Sequence, residues 1–191
     1  DIILTNTAPA PVAAAGADQE NCNSGSFTLA GNAAAPGSGL WTIIGPANGA
    51  SITTPTSNTS GVTGLTAGSS AVLRWTISNG VVCAPTFDEV TITNLAPAPI
   101  ADAGVNIEQC NSSIFTMAAN AASPGTGSWS LILGTATITN PLVANTTVTG
   151  IAPGTSATVR WTISNGICGS TQSDIILTNT APAPVAAAGA D

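Results

Sequence analysis

Four cysteines, Cys22, Cys83, Cys110 and Cys168, are the residues of this sequence best placed for covalent chemistry. An even count in a chain otherwise poor in reactive groups fits disulfides and an oxidising compartment. No His is present and no Cys-x-x-Cys spacing occurs, so a zinc site lacks a ligand set. Serine and threonine are abundant, but a hydroxyl nucleophile needs a base. Without His or Lys, neither a Ser-His-Asp nor a Ser-Lys arrangement can be built. Paired carboxylates could in principle hydrolyse glycosides. No acidic pair recurs with supporting aromatics, and the chain reads as no enzyme.

Nine acidic residues stand against two basic ones, a net charge of −7. Asp18 and Glu20 lie beside Cys22, and Asp102 and Glu108 precede Cys110. Calcium is the one cofactor these oxygens would suit, and it needs about six to eight of them in one place. The acids do not recur between the repeats described below: Asp102 aligns with Ala14, and Asp18 with Asn106. That pattern favours solvated surface acids. The only cations are Arg74 and Arg160. Such a chain has no basic patch for nucleic acid and no attraction to an anionic membrane surface. No apolar run approaches the roughly 20 residues of a membrane helix, so direct membrane insertion is not expected. The opening stretch Asp1–Thr5 lacks the charged and apolar regions of a signal peptide.

The elements that must position these residues are set by a repeat. Residues 1–18 and 174–191 are identical, at a step of 173 residues, and a degenerate copy lies at 88–106. Ala-Pro-Ala-Pro begins at Ala8, Ala96 and Ala181. The chain therefore divides into a unit A at 8–95 and a unit B at 96–180. Residues 1–7 read as the last strand of a preceding repeat, and 181–191 as the start of the next. Cys22 matches Cys110, and Cys83 matches Cys168. Trp41 matches Trp129, and Arg74–Gly80 matches Arg160–Gly166. A step more faithful than the match between neighbours implies an AB pair copied in a longer array.

Each unit shows short runs of alternating apolar residues separated by Gly, Pro, Asn and Ser, which predicts an all-β sandwich of antiparallel strands. Leu73, Trp75 and Ile77 fall on one face of a strand, as do Val159, Trp161 and Ile163. Trp41, Trp75, Trp129 and Trp161 are thus assigned to the core in preference to a sugar-stacking surface. Arg74 and Arg160 fall on the outer face, within reach of an acid such as Glu89. The Ala-Pro-Ala-Pro segments follow a strand directly and read as junctions that stop ladder pairing and stiffen the chain.

Several motifs recur in both units. They are A-G-x-[DN] before a Cys, F-T-[LM]-A, G-x-G-x-W, N-T, and R-W-T-I-S-N-G with a Cys, closing on a strand that ends I-T-N or L-T-N. In this the chain resembles the PKD-like and Ig-like tandem repeats of very large surface proteins of Bacteroidota. Those include adhesins exported by type IX secretion and used in gliding motility or attachment. The resemblance covers both units. It implies tandem Ig-like sandwiches in a head-to-tail array, an extracellular or cell-surface location, and no catalytic residues.

One bond per unit, Cys22–Cys83 and Cys110–Cys168, is the first expectation for the cysteines. An Ig-like strand order raises a geometric objection, because it puts the two cysteines of a unit near opposite ends of the sandwich. Cys22–Cys168 is the alternative and would clamp a junction. The leading functional expectation is a structural module of a long filament or adhesin stalk. Its partners would be neighbouring repeats and identical filaments. The rivals are a module that binds host or surface glycans or a protein through loops 44–57 and 132–144, and a fibre subunit exchanging strand 1–7.

Overall fold

A computed structural model describes residues 8–81, 83–112 and 114–186. The strand expected at 1–7, its exchange with a neighbour, and the end of the stretch 181–191 lie outside the described residues. The chain divides into two units, Asp1–Pro97 and Ala98–Asp191.

The described residues of unit 1 form seven strands: β1 (Gln19–Cys22), β2 (Phe27–Thr28), β3 (Ser38–Ile44), β4 (Ser51–Ile52), β5 (Gly61–Thr63), β6 (Ser69–Ser78) and β7 (Thr86–Leu95). They form a four-stranded sheet, β1-β7-β6-β3, and a three-stranded sheet, β2-β5-β4. Unit 2 repeats the plan with β8 (Ile107–Cys110), β9 (Ile114–Thr116), β10 (Thr126–Leu133), β11 (Thr137–Ile138), β12 (Thr147–Thr149), β13 (Thr155–Ser164) and β14 (Ser170–Thr180). Its sheets are β8-β14-β13-β10 and β9-β12-β11. The stretches 44–57 and 132–144 are not simple loops. Each contributes a two-residue strand, β4 or β11, to the smaller sheet.

The alternation decides which side chains face inward. Along β6, Ala71, Leu73, Trp75 and Ile77 are buried while their neighbours are half-buried, as are Ala157, Val159, Trp161 and Ile163 along β13. Trp41 stands opposite Trp75 across β3 and β6, with ring centroids 5.0 Å apart. Trp129 stands opposite Trp161 at 5.2 Å. All four rings are at most 3% exposed. Tilted aromatic pairs of this kind contribute about 0.5–1.5 kcal/mol beyond their burial.

The G-x-W spacing has a steric cause. A Cβ on Gly39 would overlap the Cη2 and Cζ2 atoms of Trp75, and one on Gly127 would overlap the same atoms of Trp161. Both glycines lie two residues before a tryptophan, on its face of the strand, and the missing side chain is the space that the facing indole fills. Gly39→Ala is expected to destabilise unit 1 by about 1–3 kcal/mol through overpacking. Ser38→Ala, at the exposed neighbouring position, should stay within about 0.5 kcal/mol. Chemical denaturation followed by tryptophan fluorescence separates the two, and equal midpoints would refute the packing account.

Candidate functional site

The first segment of each unit contains prolines, which cannot donate to a ladder. Side chains hold it instead. In unit 1, Thr86 Oγ1 accepts from Ala13 N–H at 2.9 Å and donates to the Pro11 carbonyl at 2.8 Å. Asp88 Oδ2 accepts from Ala15 N–H at 2.8 Å. From the other side, Asn32 accepts from Ala14 N–H and donates to the Val12 carbonyl, both at 2.9 Å. Asn32 thereby imitates a strand partner. Unit 2 has the counterparts: Thr171 on Ala101 and Pro99, and Asn120 on Asp102 and Ile100. Ala13, Ala15, Ala101 and Ala103 are buried as a result. The Ala-Pro segment is thus part of each sandwich's core as well as its point of entry.

The same segment continues into a strand parallel to the last one. Gln19–Cys22 pairs with Ile92–Leu95, and Ile107–Cys110 pairs with Leu177–Thr180. Together with the clamps at Thr86 and Asp88, each unit's first strand lies along the whole of its last strand, pointing the same way. Asn94 and Asn179 lock the far end. Asn94 is buried, donates to the Leu65 carbonyl at 2.8 Å and accepts from Ser24 N–H at 2.9 Å. Asn179 does the same with Ile151 and Ser112.

This geometry corrects the expected pairing of cysteines. Cys22 ends β1 opposite Leu95, whereas Cys83 precedes the start of β7 at Thr86. The length of β7, roughly 30 Å at strand rise, separates them, and a disulfide needs Cα atoms about 4.4–6.8 Å apart. Cys110 and Cys168 are held apart in the same way by β14. Bonds within a unit therefore do not form. Cys22 and Cys168 are disulfide-bonded, while Cys83 and Cys110 carry thiols. The Cys83 thiol lies 3.7 Å from the Ala8 carbonyl, and Cys110 is exposed.

The acids have ordinary structural work. Asp18 Oδ1 accepts from Thr91 N–H at 2.8 Å, and Asn106 Oδ1 accepts from Ile176 N–H at 2.9 Å. The shared requirement is an oxygen acceptor, which explains why Asp and Asn exchange here. Asp102 Oδ1 caps the Gly104 N–H at 2.9 Å. Glu20 and Glu108 are exposed on β1 and β8. Among the described residues no three of His, Cys, Asp and Glu come together as metal ligands.

Both arginines lie on the outer face of the larger sheets. Arg74 faces Glu89 across β6 and β7, donates to it through Nε at 2.9 Å, and stacks over Phe87 at 4.2 Å. Arg160 grips both Asp174 oxygens, Nε to Oδ1 at 2.6 Å and Nη2 to Oδ2 at 2.8 Å. Those hydrogen bonds hold the Asp174 carboxyl below its ordinary value of 3.8. A lowered folded-state value stabilises the unit above the unfolded value, and that contribution disappears as pH falls through the folded one. The difference in melting temperature between the native chain and Asp174→Asn should therefore hold at neutral pH and shrink below about pH 4. A gap that is constant from pH 7 to pH 2 would show that the ion pair does not contribute.

Reading the sequence missed Thr86, Thr171, Asn32, Asn120, Asn94 and Asn179. Their signal is positional: each sits at the same place in both units, although the residues between them have diverged.

No family model and no curated protein matches this sequence. Among solved structures, the chain is similar to Sidekick-1 immunoglobulin domains 1–4, with a TM-score of 0.66 and 16% identity over 92% of this chain and 50% of that one. A form with domains 1–5 gives a TM-score of 0.65 and 16% identity over 91% and 40%. The extracellular domains 3–5 of Drosophila OTK give 0.56 and 12% over 86% and 59%. The chain thus spans half or less of the Sidekick-1 chains. These likenesses establish the immunoglobulin-like β-sandwich fold.

Proposed function

We propose that this chain is a load-bearing module of a long extracellular or cell-surface fibre, an adhesin stalk that gives reach and strength for attachment or motility. The parallel seat of each unit's first strand along its last carries the reading. When no disulfide bypasses a unit, tension enters through its first strand and leaves through its last. Pulling two parallel neighbours in opposite directions shears all their hydrogen bonds together, whereas an antiparallel hairpin opens one rung at a time. The clamps from Thr86, Asp88, Thr171 and the acceptors Asp18 and Asn106 lengthen that sheared seam.

The repeat at a step of 173 residues supports assembly in series. Disulfide bonding at Cys22 and Cys168 supports an oxidising compartment, and the OTK domains that share the fold are extracellular. Resemblance to Bacteroidota surface repeats supports an adhesin array. Since neither Cys22 nor Cys168 can reach a cysteine of its own unit, we assign them to one bond, Cys22–Cys168, that clamps consecutive units. Neighbouring repeats, and identical filaments alongside, are then the partners.

Single-molecule stretching tests this. With the bond closed, the 146-residue step from Cys22 to Cys168 is shielded from the pull. Adding a reductant should release two force peaks and up to roughly 500 Å of new contour length. Equal lengths before and after reduction would remove the bond from the reading, and reduced units that extend without force peaks would remove load-bearing.

One observation favours a second reading, a protein-binding face on unit 2. Leu131, Ile132, Leu133, Leu142 and Val143 are all exposed around β10 and the stretch 132–144. An apolar cluster of this kind can mark an interaction site. Binding of a surface protein that Leu133→Ser with Leu142→Ser abolishes, at unchanged stability, would favour it. Binding of glycans on an array, unaffected by those changes, would point to the loops instead.

A further inference from the structure

We propose that Cys110 is a cross-linking site, bonded to the late cysteine of the unit that follows it in the array. The proposal rests on the array reading above.

Cys110 occupies in unit 2 the place that Cys22 holds in unit 1. Each is the last residue of the first strand, opposite the end of the last: Cys22 faces Leu95, and Cys110 faces Thr180. Each is followed by an asparagine with positive φ, Asn23 at 48° and Asn111 at 51°. That asparagine donates its N–H to the facing carbonyl at 2.9 Å in both units. In this setting Cys22 is disulfide-bonded. Cys110 cannot find a partner in its own unit, because Cys168 lies at the other end of β14 and is itself disulfide-bonded.

A shallow depression beside the exposed Cys110 is lined by Asn111, Ser112, Ile151, Ala152 and Pro153. What would occupy it follows from the sequence: residues 181–191 repeat 8–18, so the unit that follows is of type A. Its late cysteine is the counterpart of Cys83. Cys83 and Cys168 hold equivalent places, each three residues before the threonine that clamps the Ala-Pro segment, Thr86 or Thr171. A cysteine of the Cys83 type thus stands to Cys110 as Cys168 stands to Cys22.

The chemistry is thiol–disulfide exchange. The Cys110 thiolate attacks an external disulfide oxidant and forms a mixed disulfide, releasing one thiol. The late cysteine then displaces the second thiol and closes the bond. Two protein thiols are oxidised, and one oxidant disulfide is reduced to two thiols. Cys83 and Cys110 are 27 residues apart, and Cys168 is as far from the next counterpart of Cys22 one repeat on. With both kinds of bond closed, tension runs through 27-residue stretches of at most roughly 95 Å each, and the remainder of every sandwich is enclosed in covalent loops.

The test is a three-unit chain, made by continuing the sequence past Asp191 with a copy of residues 19–95 and oxidised in a glutathione buffer. The disulfides are then mapped by mass spectrometry without reduction. The expected result is a peptide joining Cys110 to the added counterpart of Cys83, with complete loss of Cys110 alkylation. Should the longer chain fail to fold, two copies of the present chain are used, and a covalent dimer joined Cys110 to Cys83 is expected, lost in Cys110→Ser. A map with Cys22–Cys168 closed and Cys110 still alkylated overturns this proposal and leaves the array reading standing. A map without Cys22–Cys168 also overturns this proposal and removes that bond from the array reading, whose load-bearing is tested separately by the force peaks of the reduced units.

Discussion

Pro9 and Pro11, like Pro97 and Pro99, lack the N–H that a ladder needs, yet they begin the segment that must close the sandwich. Each unit meets this shortage with side chains. A threonine and an asparagine grip the segment from two sides, and four backbone pairs take over only at Gln19 or Ile107. Because the threonine belongs to the last strand, first and last strands end up parallel neighbours. Much else depends on that. It buries Ala13 and Ala15, and Ala101 and Ala103, in the cores that also hold the tryptophan pairs, and it fixes the direction in which a pull on the ends loads the unit.

The parallel seam also sets where the cysteines stand. One ends the first strand and the other precedes the last, so a full strand length divides them. A bond inside a unit is geometrically closed off, and a bond beyond it is what such placement can serve. The same division gives every unit two different ends, one carrying an early cysteine and one a late cysteine. That polarity suits a head-to-tail series.

Several of the polar side chains at matching places in the two units hold backbone. Asp18 and Asn106 are interchangeable acceptors, and Asn94 and Asn179 bridge loops that the chain, lacking Tyr, could not fasten with a tyrosine corner. The indoles face the core, and the arginines are matched to acids across the outer sheet. Among what remains exposed are the apolar residues on and after β10, Leu131, Ile132, Leu133, Leu142 and Val143, and the thiol at Cys110. Both belong to surfaces.

The sequence by itself determined the sandwich, the Trp75 and Trp161 faces, the outward arginines and the two-unit repeat. Each of these is written in local periodicity: alternation by two along a strand, or a motif returning at a constant step. It could not by itself choose among the cysteine pairings, because that choice depends on how far apart two residues lie once strands are laid side by side. Nor could it show that Asn32 stands in for a strand or that Thr86 clasps Pro11, since those bonds join residues 20 and 75 positions apart. Only the tertiary structure decides them: a proline-bearing strand needs partners from outside its own ladder, and only folding brings those partners within hydrogen-bonding distance.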